Sequence, residues 1–279
     1  MPIKNPSNVG CASAVYFNLS SDPLQSRVVA VQSIERRQRV QREIQECGIS
    51  RQDAFQKLRA EKRLGPPDNW KLPGGEIEFW TAHILQQEYK SLGAPGEKEL
   101  SEEQERYLET VGERLLLDDT LLQDAAHTTA LLEFLEETGL HVKQEQIEFL
   151  MRRNDRDKDG LWPFYPRFWY LVRKASGELS TTPGDDDISP PEWIPLMRLF
   201  PKRQDSYYPF HAGHVPAIKM ALGRFVEEGR QDLIPIIQYL EQAFPFTPVA
   251  PRPSEVRPPK GPMSDEEAFE AAMMGVKPL

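Results

Sequence analysis

From Cys11 to Leu19 apolar residues alternate between two sides, with Ala12, Ala14 and Tyr16 on one and Val15 and Phe17 on the other. A period of two predicts a β-strand. A valine-rich run from Arg27 to Ile34 predicts a second, and Ser21, Asp22 and Pro23 supply turn chemistry between them. The two read as a hairpin or as sequential strands of one sheet. The period then changes. Between Arg36 and Leu64 sparse apolar positions recur at helical spacing, Val40, Ile44 and Cys47 in one stripe and Ala54, Phe55 and Leu58 in another. Gly48 separates them, and Ser50 with Asp53 resembles an N-terminal cap. Two short helices inserted between strands follow.

After the glycine-rich stretch Asn69 to Glu78 the chain is again helical and polar to Leu122. Ser101 and Gln104 form a capping-box pattern, followed by Tyr107, Leu108, Val111 and Leu115 at helical spacing. A further helix is predicted from Asp124 to Glu137, closed by Gly139. Glu145 to Arg153 and Arg167 to Arg173 read as an antiparallel strand pair, the second aromatic with Phe168, Trp169 and Tyr170. Pro191 to Leu196 reads as a short strand. Val215 to Glu228 and Leu233 to Phe244 read as helices, the latter with Pro235 in its first turn, where proline is tolerated. Pro245 to Pro262 is proline-rich and extended, and Ser264 to Met274 has the pattern of a short amphipathic helix.

These elements give an α/β chain, a sandwich of helices around a mixed sheet with two helical insertions at about 36–66 and 81–123. The domain is expected over 1–244, and 245–279 as a flexible tail. Composition narrows the class. The 279 residues carry a net charge of −9, which disfavours a general nucleic-acid binder and suits a carboxylate site that needs a cation. Two cysteines, Cys11 and Cys47, are too few for a disulfide framework or a cysteine zinc site, so a reduced, cytoplasmic protein is expected. No apolar run approaches transmembrane length, and no membrane partner is expected.

The chemistry concentrates in Ala130-Leu131-Leu132-Glu133-Phe134-Leu135-Glu136-Glu137-Thr138-Gly139-Leu140. Glu133, Glu136 and Glu137 stand at i, i+3 and i+4, which puts them on one helix face. Leu132, Phe134 and Leu135 are expected to face a core, and no basic partner lies in the same turns. Acidic groups near a helix C-terminus also oppose its dipole. A hard divalent cation would relieve the repulsion, and oxygen ligands suit Mg²⁺ or Mn²⁺. A solvated acidic helix end is the plainer alternative.

Upstream, Trp70-Lys71-Leu72-Pro73-Gly74-Gly75-Glu76-Ile77-Glu78 resembles the loop that precedes the catalytic helix in Nudix hydrolases. That family's box runs from a glycine through five residues to a glutamate, then seven more to Arg-Glu-apolar-x-Glu-Glu-x-Gly-apolar. Gly75 matches the glycine. Glu133, Phe134, Glu136, Glu137, Gly139 and Leu140 match the second half, and Trp193-Ile194-Pro195-Leu196 resembles a late strand and loop. The resemblance spans roughly Cys11 to Glu228, outside the insertions. Two positions depart from it. Five residues past Gly75 lead to Thr81 rather than glutamate, with Asp124 at that position when counted back from the helix. Leu132 replaces the arginine, a fixed bidentate donor.

The resemblance implies a metal-dependent pyrophosphohydrolase for a nucleoside diphosphate linked to another group. Metal ligation falls to Glu133, Glu136, Glu137 and the Gly75 carbonyl, with catalytic roles for Glu133 and Glu137. Glu148, Asp185, Asp186, Asp187 and Glu192 are candidates for an additional acid. Leu132 and the split box keep open a nucleotide- or protein-binding regulator with little turnover. The basic residues Arg36, Arg37, Arg39, Arg42, Lys57, Arg59, Lys62 and Arg63 keep open an RNA substrate, and the exposed insertions offer a surface for a homodimer. Asp155 to Gly160 resembles half an EF-hand loop, but Pro163 and Pro166 occupy its ninth and twelfth positions. His83, His127, His141, His211 and His214 show no metal spacing, and the aromatic residues near Trp162 to Trp169 read as sheet packing.

Overall fold

The computed structural model describes residues 9–61, 63, 69–77, 81–91, 102–155, 165–180, 188–199 and 210–245. The strands within them form one mixed sheet: β1 (Cys11–Asn18), β2 (Arg27–Gln32), β3 (Trp70–Lys71), β4 (Gly74–Glu76), β5 (Ile147–Asp155), β6 (Tyr165–Val172) and β7 (Glu192–Pro195). Its main path is β3-β2-β1-β6-β5, with β4 also on β1 and β7 on β2. β1 and β6 run parallel, and the other pairs are antiparallel.

The alternation in β1 decides what covers each face. Ala12 and Ala14 lie in register with Phe168 and Tyr170, and all four join one buried cluster with Leu122, Ala126, Ala130 and Phe134 of helix α5 (Asp119–Thr138). Val15 pairs with Leu171 on the opposite face. There they meet Ile218 and Leu222 of α6 (Val215–Glu227) and Ile236 and Leu240 of α7 (Ile234–Ala243). A sheet buried on both faces needs a helical layer on each, and the expected α/β/α sandwich is what forms.

The two insertions differ. The helices α1 (Glu35–Cys47) and α2 (Arg51–Ala60) bury a small cluster of their own, Val40, Ala54 and Leu58. Gly48 takes the left-handed conformation at φ 64° that closes α1, and the Ser50 hydroxyl caps α2 by accepting from Asp53 N at 3.2 Å. By contrast, α3 (His83–Ser91) and α4 (Glu102–Leu117) send Leu85, Val111 and Leu115 into the main core beside α5. The second insertion is therefore part of the domain's packing.

The sequence places the start of the glutamate helix at Asp124, but it begins at Asp119. Asp118 caps it, its Oδ1 accepting from Thr120 N at 3.0 Å and Leu121 N at 3.2 Å. The buried Leu121 and Leu122 extend the apolar stripe by about a turn, so this segment belongs to the glutamate helix rather than to the insertion at 81–123. The expected cap at Ser101, the proline-rich tail and the helix at 264–274 lie outside the described residues. No helix among those described is long and apolar enough to cross a membrane.

Candidate metal-binding site

The stripe that α5 lays on the sheet runs Leu122, Ala126, Ala130 and, seven residues on, Glu137. Each is buried, so the last turn continues an apolar stripe with a carboxylate. It can do so because the strand beneath is Gly74–Gly75. An added Cβ on Gly75 would stand 2.2 Å from Glu133 Oε1 and 2.6 Å from its Oε2. The missing side chain is the cradle in which that carboxylate lies. Gly74 has a different reason to be glycine. At φ 153° its Cβ would meet the Ala12 carbonyl at 2.2 Å and Ser13 Cα at 2.6 Å, both backbone atoms of β1.

The three glutamates are not equivalent. Glu137 is 2% exposed, Glu133 is intermediate and Glu136 faces solvent. Glu137 Oε2 accepts from Gly74 N at 2.8 Å, and Lys71 Nζ approaches Oε1 at 3.2 Å. The same ammonium donates to the Gly74 carbonyl at 3.3 Å. No basic residue stands in the same helix turns, as expected, and the partner comes from another element. Lys71 supplies it from β3, 66 positions away. Lys71 stood inside the recognised Trp-Lys-Leu-Pro-Gly-Gly stretch without a role. The signal available in the sequence was that a carboxylate on a core-facing stripe must find a cation somewhere.

The expectation that Leu132 faces a core is corrected. It is 46% exposed, whereas Phe134 is fully buried. Two residues on a helix turn through about 200°, so Leu132 points away from the core that Phe134 enters. Its side chain offers no donor where the family pattern has arginine. Asp124 does not reach the glutamates' role either. Its Oδ2 accepts from His83 N at 3.1 Å and so caps α3. Thr81 is buried against the same helix, its hydroxyl accepting from Thr129 Oγ1 at 3.2 Å.

The other acids are placed elsewhere. Glu148 on β5 pairs with Arg173 at 2.9 Å, and Glu192 is an exposed residue of β7. Asp185, Asp186 and Asp187 lie outside the described residues. Asp155 pairs with Arg153 and Arg167, each at 2.7 Å, and the remainder of the EF-hand-like stretch is likewise outside them. His214 is structural: it is buried and accepts at Nδ1 from Trp169 Nε1 at 3.1 Å. Burial pushes its pKa well below the ordinary value, with neighbouring His211 and the cations Lys71, Arg167 and Arg153 adding to the shift. Cys11 and Cys47 are free thiols, and burial raises the pKa of Cys11.

Whether a divalent cation fits can be judged from the donors. Glu133, Glu136, Glu137 and the glycine carbonyls are hard oxygen ligands, and the cradle at Gly75 brings the Glu133 carboxylate onto the backbone. The donor set fits. As the side chains lie, no group of three His, Cys, Asp or Glu among the described residues is gathered tightly enough to enclose an ion. Glu137 is instead turned onto Lys71 and Gly74.

A mixed sheet, a Gly-Gly strand end and a following helix whose Glu-x-x-Glu-Glu face lies on that strand are now in view. The fold is an α/β/α sandwich around a mixed sheet. Among similar solved structures is the NUDIX domain of Shewanella oneidensis NrtR complexed with ADP ribose. It is 16% identical, with 78% of this chain and 89% of that one covered and a TM-score of 0.38. A MutT/nudix family protein from Enterococcus faecalis is 15% identical, with 88% and 75% covered and a TM-score of 0.39. A C. elegans Ap4A hydrolase is 13% identical, with 83% and 98% covered and a TM-score of 0.28. No protein-family model and no curated protein matches the chain.

Proposed function

We propose that this chain is a metal-dependent pyrophosphohydrolase that cleaves a nucleoside diphosphate linked to another moiety. The observation that carries this reading is the seat of Glu133 on Gly75, beside Glu136 and Glu137 on one helix face. The Glu133 carboxylate lies directly against the bare backbone of Gly75, where any side chain would displace it. A Mg²⁺ or Mn²⁺ ion held by Glu133, Glu136, Glu137 and the Gly75 carbonyl would supply charge neutralisation at the diphosphate oxygens and a more acidic water. Glu133 takes the proton of the attacking water at its carboxylate. The water oxygen bonds to one phosphorus, the anhydride P–O bond breaks, and its electron pair leaves with the nucleotide or the linked group. Glu136, exposed, can turn toward the ion without disturbing the core.

A second reading is a nucleotide- or protein-binding regulator with little turnover. It is favoured by Leu132, which places an exposed apolar group where the family's arginine would donate. The test is hydrolysis of nucleoside triphosphates, dinucleoside polyphosphates, nucleotide sugars and capped RNA with Mg²⁺ or Mn²⁺, beside a Glu136→Gln control. Glu136 is exposed, so the control should fold normally. Metal-dependent nucleotide release that the control loses supports the enzyme and names its substrate class. Nucleotide binding without release from any of the panel supports the regulator.

A further inference from the structure

The cationic partner of Glu137 is one this chain supplies itself. Glu137's side chain is 1% exposed, and an ionised carboxylate at that depth is unstable without a cation. Gly74 N–H satisfies Oε2 at 2.8 Å, and the Lys71 ammonium bridges Oε1 and the Gly74 carbonyl at 3.2 and 3.3 Å. One ammonium thus closes a ring with a carboxylate and a backbone carbonyl of the glycine turn. Those are the oxygen types that a hard divalent cation takes. The Lys71 side chain is 28% exposed and sits on a flexible stem, so water is within its reach when it lets go.

We infer that Lys71 is a positioning residue and the resident counter-ion of Glu137: it docks the last turn of α5 onto the Gly74–Gly75 turn, and a divalent cation must compete with it for the Glu137 carboxylate. This rests on the metal reading proposed above. Two consequences follow. The glycine turn and the glutamate helix are held together before any ion arrives. The site's affinity is also lower than it would be without Lys71, because the Glu137 carboxylate is already neutralised. The competition is reciprocal, so whatever removes the ammonium must tighten the ion.

The experiment uses the full chain and Mn²⁺ alone, with bound ion counted from the loss of the free Mn²⁺ spin-resonance signal and thermal unfolding followed with and without the ion. Lys71→Met keeps the stem and removes the charge. It is expected to unfold at lower temperature than the parent without Mn²⁺, to bind Mn²⁺ about tenfold more tightly, and to gain more in melting temperature from it. Lys71→Arg keeps the charge in a fork that grips a carboxylate more firmly, and should bind Mn²⁺ more weakly than the parent. It decides the question if Lys71→Met does not fold. Parent and foldable variants binding Mn²⁺ with equal affinity, or Lys71→Met binding it less well, would overturn the inference and leave the metal reading standing. No Mn²⁺ binding by the parent or by either variant would overturn the metal reading itself.

Discussion

Adjacent glycines with different jobs give the sharpest prediction. Gly74→Ala would drive a methyl into the backbone of β1, with the Ala12 carbonyl at 2.2 Å and Ser13 Cα at 2.6 Å, from a φ of 153° that side-chain-bearing residues rarely adopt. Neither atom can move without shifting the central strand. Backbone strain and overpacking together should cost about 3 kcal/mol. For a domain of this size that lowers the melting temperature by about 6–12 °C. Gly75→Ala meets first the end of the Glu133 side chain, with Oε1 at 2.2 Å and Cδ at 2.3 Å. Glu133 is not fully buried and can retreat by roughly 1 Å or more, so stability should change by less than about 1 kcal/mol. The retreat moves the carboxylate proposed to take the proton, and a misplacement of that size costs about 100-fold in turnover. Thermal unfolding by circular dichroism, beside Mn²⁺-dependent hydrolysis of the best substrate in the panel, reads both effects. Equal destabilisation by the two substitutions, or full turnover by Gly75→Ala, would refute the cradle.

Two further outcomes are expected. Leu132→Arg restores a donor at an exposed position, so stability should stay within about 0.5 kcal/mol while turnover rises; unchanged turnover would mean that the arginine's absence does not limit the reaction. His214 gives a pH signature. Its pKa is depressed in the fold, so the unfolded chain takes up a proton that the folded chain refuses. Its contribution is constant above the ordinary imidazole value of about 6.5 and is lost as pH falls below it, by at most about 1.4 kcal/mol between pH 7.5 and 5.5. Urea unfolding at both pH values should show a loss in the parent that is smaller in His214→Gln, and an equal loss in both proteins would refute the assignment.

Much of this protein was legible in the order of its residues, because much of it is local. The alternation in β1 and the valine run of β2 fix strands, and Ser50 and Gly48 mark helix ends through bonds to residues three or four positions away. The i, i+3, i+4 spacing of Glu133, Glu136 and Glu137 required only a helix to put them on one face. Tertiary structure decided what each of these does. Glu137 is buried, Glu133 half-buried and Glu136 exposed because α5 meets the sheet along one line, and only packing sets where that line falls. The start of α5 at Asp119 was hidden because α4 packs against the same core and the polar spacing blurs the junction. Lys71 reaches Glu137 across 66 positions only because β3 lies in register with β2 and brings the glycine turn under the helix end. Spacing along a chain reports neighbours within a turn or a pleat, whereas a buried charge and its partner are joined by sheet register and helix docking, which no local pattern encodes.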